Sequence, residues 1–190
     1  MGQRTAIILQ HVNYFKYANN DERKQTRVFY HGWGIGRILP SQLMAIANGM
    51  LSISTSNSDA IDELKPQGTQ DITNNYDPVE QALFDELDFN HPEYVGDILK
   101  RADNNNGGIF VRITTDVEGK DLLEYAFMLG YEEEGDYQHF CTGWEWMEKV
   151  DPNQRHCKQE FKDLFFNTLV YHKAFDRSKG ESKLNNGDAA

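Results

Sequence analysis

The residues best placed to do chemistry form one short run, His31-Gly32-Trp33-Gly34-Ile35-Gly36-Arg37. Glycines at alternate positions free the backbone to turn its N–H groups toward a ligand. Placed between a strand and a helix, such a run can cradle an anion, because unpaired N–H groups and the helix dipole both favour negative charge there. Arg37 would add positive charge, and His31 and Trp33 would line the pocket. The candidate ligand-binding set is therefore His31, Gly32, Trp33, Gly34, Gly36 and Arg37, and the ligand class is phosphate or a nucleotide. The run departs from the familiar phosphate loops. A dinucleotide fingerprint requires glycine where Leu39 stands, and no Gly-Lys-Ser/Thr follows to make a P-loop. A bulge that lets Trp33 fold into the core explains the same glycines without any ligand.

Other constellations are less specific. His139 with Cys141 and His156 with Cys157 supply zinc-ligand chemistry, but zinc sites use C-x₂₋₄-C or H-x₃₋₅-H spacing and neither pair has it. No metal and no cofactor are expected. Cys141 could take His139 as a base if both lie on one side of a strand, but no third group orients the pair. The acidic run Glu132-Glu133-Glu134-Gly135-Asp136 reads as a solvated loop that can attract a basic partner. Asp85, Glu86 and Asp88 fall on the polar side of an amphipathic helix and read as solvated. Trp144 and Trp146 flank Glu145 and cannot both face one way, so one anchors the core and the other is a candidate protein contact. No catalytic residue is assigned.

The elements that would hold these groups follow from periodicity. Residues 5–12 (TAIILQHV) and 26–31 (TRVFYH) read as two strands of a hairpin with a long loop. A helix is predicted over 40–51, with Pro40 in its first turn. Residues 52–76 are rich in Ser, Thr, Asn, Asp and Gln, with at most a helical turn at 60–64. A loop of this length is usually functional or mobile. Asp77-Pro78-Val79-Glu80 is a capping box opening a helix whose apolar stripe is Val79, Ala82, Leu83 and Leu87. His91-Pro92 opens a second helix with Tyr94, Val95, Ile98, Leu99 and Ala102 inward, ended by the run at 104–108. Residues 109–115 form a strand, 122–129 a strand pairing back on it, and 137–141 a short one. Thr142-Gly143-Trp144-Glu145 caps a short helix to about Val150. A long last helix is predicted over 152–175, with Cys157, Phe161, Leu164, Phe165, Thr168 and Leu169 buried.

Strands thus cluster rather than alternate with helices. The fold class is α+β, an antiparallel sheet of about four or five strands with helices packed on one face. One domain spans 1–175, and 176–190 is a tail with too little apolar content to fold. The chain has 190 residues and a formal net charge of −11, which repels phosphate backbones and so argues against general nucleic-acid binding. Two cysteines, no leader-like start and no long apolar run point to a cytoplasmic protein off the membrane.

The opening Met1-Gly2-Gln3-Arg4, an apolar strand, and then Tyr30-His31-Gly32-Trp33 resemble the start of small accessory proteins of bacteriophages and mobile elements. The resemblance covers about the first fifty residues, carries no catalytic motif, and implies a setting rather than a mechanism. The expected function is a non-catalytic interaction or accessory protein with a protein partner. The alternatives are a small anion-binding protein using residues 32–37, or an enzyme whose site has no recognised motif.

Overall fold

The computed structural model describes residues 4–14, 22–32, 68–102, 107–118, 120–129, 139–150 and 168–176. Among the described residues seven strands form one sheet: β1 (Thr5–Tyr14), β2 (Glu22–His31), β3 (Gln70–Asp71), β4 (Gly108–Thr115), β5 (Lys120–Met128), β6 (Phe140–Cys141) and β7 (Tyr171–Asp176). Their order is β3-β2-β1-β4-β5-β6, and β7 also pairs with β5.

The central strand β1 is buried from Thr5 to Val12, which is why Ala6 to Leu9 run apolar without alternation, while the buried Gln10 and His11 are hydrogen-bonded. β2 returns antiparallel to it, Thr5 opposite His31 and Tyr14 opposite Glu22, so the expected hairpin forms. On its other side β1 pairs with β4 in parallel, Ala6 beside Gly108 and Asn13 beside Thr115. The sheet is therefore mixed, not antiparallel. A parallel pair needs a crossover of a dozen or more residues, and the chain between β2 and β4 supplies it. β4 and β5 form the expected hairpin. Asp116 closes its turn, its Oδ1 accepting from the backbone N–H groups of Glu118 and Lys120, both at 2.8 Å.

Successive residues of a strand face opposite sides of the sheet. Ala6, Ile8, Val28, Phe110 and Met128 share one face and form a core with Ile72, Tyr76, Phe84, Leu87, Val95, Ile98 and Leu99. These last come from the crossover, which contains α1 (Pro78–Ala82) and α2 (Pro92–Arg101). The opposite face carries Ile7, Leu9, Ile109, Val111 and Phe127, and α3 (Gly143–Val150) sets Trp146 against Phe127, ring centroids 5.3 Å apart. Helices thus lie on both faces, not one.

Gly108 has a packing reason to be glycine. A Cβ there would sit 2.4 Å from the Ala6 carbonyl oxygen and 2.7 Å from Leu99 Cδ2, where β4 starts between β1 and α2.

The Asp77 capping box forms as expected, Asp77 Oδ1 accepting from Val79 and Glu80 N–H and Glu80 Oε2 accepting from Asp77 N–H. The helix it opens is only five residues long, and Val79 is 79% exposed, so the predicted stripe through Val79 and Ala82 does not face the core. The apolar anchors of this stretch are Phe84 and Leu87 beyond the helix. α2 buries Val95, Ile98 and Leu99 as its spacing requires. The Thr142 capping box also forms, with Thr142 N–H to Glu145 Oε2 at 2.7 Å and Glu145 N–H to Thr142 Oγ1 at 3.2 Å.

The predicted helix to residue 175 is corrected at its end: 171–176 is strand β7, paired antiparallel with Lys120–Tyr125 of β5. Tyr171 stacks on Tyr125 with centroids 4.9 Å apart, and His172 Nδ1 lies 3.0 Å from Glu124 Oε1. Cross-strand partners here override the helical spacing read upstream. Leu169, expected inward, is 54% exposed, and Thr168 is exposed. The predicted helix at 40–51, the turn at 60–64, the acidic run 132–136, residues 152–167 and the tail beyond 176 lie outside the described residues.

Candidate functional site

The chain leaves β2 at Gly32 and is described again from Gly68. Between that point and α2, three short pieces are fastened to the sheet. β3 pairs Tyr30 with Gln70 and Phe29 with Asp71. Ile72 N–H donates to the Val28 carbonyl at 2.9 Å. Thr73 opens a single 3-10 turn (Thr73–Asn75) with a fully used hydroxyl: it donates to Asp71 Oδ1 at 2.6 Å and accepts from Val28 N–H at 2.9 Å. Tyr76 packs inward, and its hydroxyl donates to the Ile98 carbonyl of α2 at 2.8 Å. Burial drives the Tyr76 phenol well above its ordinary value, with Glu80 adding to that and Arg101 opposing it.

These fastenings frame an open cleft of about 450 Å³ lined by Tyr30, Gln70, Ile72, Asn75, Tyr76, Arg101 and Ala102. Its size falls in the roughly 300–1,000 Å³ range of small-ligand sites. The side chains of Tyr30, Gln70 and Asn75 make no hydrogen bond to other described residues. Arg101 makes one ionic contact, Nε to Glu80 Oε1 at 2.9 Å. Aromatic rings, carboxamides and a guanidinium therefore converge with donors and acceptors to spare, which is the chemistry of recognition.

A second arginine is built differently. Arg112 on β4 donates from Nε to Gln10 Oε1 at 2.9 Å, pairs through Nη1 with Asp88 Oδ2 at 3.0 Å, and donates from Nη2 to the Leu87 carbonyl. Its guanidinium lies 5.3 Å from the Phe89 ring centroid and 5.4 Å from that of Phe110. Gln10 donates on to the Phe84 carbonyl at 2.7 Å. Burial works to raise the Asp88 carboxyl, but the Asn90 amide and the Arg112 guanidinium outweigh it and hold it below its ordinary value. Asp88 is thus a clamp holding the crossover to the sheet, not the solvated helix charge its sequence suggests.

A third polar group lies on the opposite face, at the ends of β1 and β4. Thr115 Oγ1 donates to Asp121 Oδ1 at 2.7 Å and sits 3.0 Å from His11 Nε2, so the imidazole nitrogen carries the proton and donates to the hydroxyl. All three side chains are buried, which suits a strut between strands better than a reacting centre.

Of the sequence-derived site, His31 and Gly32 are described, and Trp33, Gly34, Gly36 and Arg37 lie outside the described residues. His31 is half-buried at the end of β2, and desolvation lowers its pKa from the ordinary 6.5. It is next to Tyr30 in sequence but faces the other side of the sheet, so it does not enter the cleft. Gly68, at φ +77°, turns beneath it, and a Cβ there would come within 3.2 Å of His31 Nε2. Cys141 is buried with Sγ 3.6 Å from the Phe127 carbonyl, while His139 is exposed, and His156 and Cys157 lie outside the described residues. No group of three metal-ligating His, Cys, Asp or Glu side chains occurs among the described residues. Trp146 is fully buried and Trp144 half-buried, the division expected of the pair. Sequence reading missed the cleft because Gln70, Asn75 and Tyr76 sit in a stretch that looks like an unstructured polar loop. No motif marks it, and only the Asp71-x-Thr73 spacing hints at a built turn.

No helix among the described residues is long and apolar enough to cross a membrane. No family model matches the chain, and neither curated proteins nor solved structures match it.

Proposed function

We propose that this chain is a non-catalytic binding protein that captures a segment of a partner protein in the cleft between β3, the 3-10 turn and the end of α2. The observation that carries the reading is the convergence of Tyr30, Gln70, Asn75 and Arg101 on one cleft with hydrogen-bonding capacity that other described residues do not use. Carboxamides donate and accept together, as peptide groups do, and tyrosine adds rigid contact area. Such a role suits an accessory protein of a phage or mobile element, the setting that the N-terminal resemblance implies. The test is retention of a random decapeptide pool by the immobilised full chain, compared with the double variant Gln70→Ala/Asn75→Ala. Retention that the double variant abolishes supports the reading. Equal retention by both proteins removes it.

A second reading keeps residues 32–37 as an anion cradle. It draws support from Gly32, where a Cβ would meet nothing within 4 Å, so packing alone does not require glycine there. Titrating inorganic phosphate while following the Gly32, Gly34 and Gly36 amides by NMR tests it. Saturable shifts that weaken in Arg37→Ala favour the cradle, and silent amides leave the glycines a backbone role.

A further inference from the structure

We infer that the partner segment is a polypeptide carboxyl terminus, its carboxylate seated on Arg101. This rests on the reading of the cleft as a partner-binding site. Glu80 is engaged at both oxygens, Oε2 accepting from Asp77 N–H at 2.8 Å and Oε1 in an ion pair with Arg101 Nε at 2.9 Å. The helix cap therefore grips the guanidinium by its inner edge. The terminal nitrogens of Arg101 make no hydrogen bond among the described residues, and Arg101 lines the cleft. A guanidinium held this way presents parallel N–H groups suited to a planar two-oxygen anion.

Charge selects among such anions. Among the described residues Arg101 is the only cation lining the cleft, Glu80 already neutralises part of its charge, and the chain carries a net −11. A phosphate dianion would meet too little positive charge, whereas a carboxylate adds a single negative charge. The end of α2 contributes partial negative charge nearby, but the Tyr76 hydroxyl covers the Ile98 carbonyl. The remaining lining fits what leads up to a terminal carboxylate. Gln70 and Asn75 match peptide N–H and C=O groups, and the rings of Tyr30 and Tyr76 with Ile72 offer apolar surface to side chains.

The experiment uses two random decapeptide pools, one ending in free carboxylate and one in carboxamide, passed over the immobilised full chain and quantified by mass spectrometry. Retention of the free-acid pool is expected to exceed that of the carboxamide pool at least about tenfold, the effect of a charge-assisted contact. Arg101→Gln is expected to bring the pools to parity with an unchanged melting temperature. Arg101→Lys, which keeps the charge but not the fork, is expected to lose most of the preference, and full preference in that variant overturns the bidentate seat. Equal retention of both pools by the native chain, lost in Gln70→Ala/Asn75→Ala, overturns the carboxylate inference and leaves the cleft reading standing. Retention of neither pool overturns both.

Discussion

Arg112 and Arg101 each pair with a carboxylate, yet one is closed and the other open. Arg112 is 14% exposed in its side chain and meets Gln10, Asp88 and Leu87 with its guanidinium nitrogens, above two phenylalanine rings. Arg101 is 57% exposed, pairs with Glu80 through one nitrogen and lines a cleft. The difference separates a residue that holds the fold from one whose bonding is unfinished. A buried guanidinium must be satisfied within the protein, because leaving it unpaired costs several kcal/mol. An exposed one is satisfied by water and can exchange that water for a partner at little cost.

Removing each arginine should expose that difference. Arg112→Ala strands the Asp88 carboxylate, Gln10 and a backbone carbonyl, so it should destabilise by about 3–5 kcal/mol in urea denaturation. A loss under about 1 kcal/mol would mean the clamp is dispensable. Next in size, Gly108→Ala should cost about 1–3 kcal/mol by overpacking β4 against β1 and α2, with the cleft side chains untouched. Asp77→Ala should cost about 1 kcal/mol, the usual value of a lost cap, and by loosening Glu80 it should also weaken binding in the cleft. Arg101→Gln should change stability by less than about 1 kcal/mol, as for an exposed ion pair. A larger effect would place Arg101 with Arg112 as a structural residue.

Acid gives a further contrast. The Asp88 carboxyl titrates below its ordinary 3.8 in the folded chain, so the unfolded chain binds that proton more tightly. Its contribution is complete above that value and falls away as the pH drops through the lower folded value. His31 adds a separate step near neutrality. Burial lowers its pKa from 6.5, so protonation favours the unfolded chain and stability declines as the pH falls below 6.5. Melting temperature followed against pH should lose the neutral step in His31→Asn and the acidic one in Asp88→Asn. Persistence of either step in its variant would assign it to another group.

What was legible in the sequence was local. The apolar run of β1, the capping boxes at Asp77 and Thr142, and the inward stripe of α2 each follow from neighbouring residues, and each is present. Non-local pairing was not legible. The parallel contact of β1 with β4 joins residues a hundred positions apart, and nothing within either strand announces it. The strand at 171–176 forms because β5 offers it Tyr125 and Glu124, partners that helical spacing cannot reveal. The clamp and the cleft share this origin. Arg112 and Asp88 lie 24 positions apart, and Tyr30 and Arg101 meet across a cleft only because β3 and the turn at Thr73 are tied to β2. The glycine run was conspicuous for its composition, yet its first residue, His31, faces away from that cleft.

The central claim is that recognition belongs to the open region and structure to the closed one. Amide NMR shifts of the full chain, recorded as peptides retained from the random pool are added, test it most directly. The account predicts saturable shifts at Gln70 to Tyr76 and at Ile98 to Ala102, with Leu87 to Phe89 and Arg112 unmoved. Shifts centred on Leu87 to Phe89 and Arg112, or spread evenly over the sheet with the cleft residues silent, would contradict it.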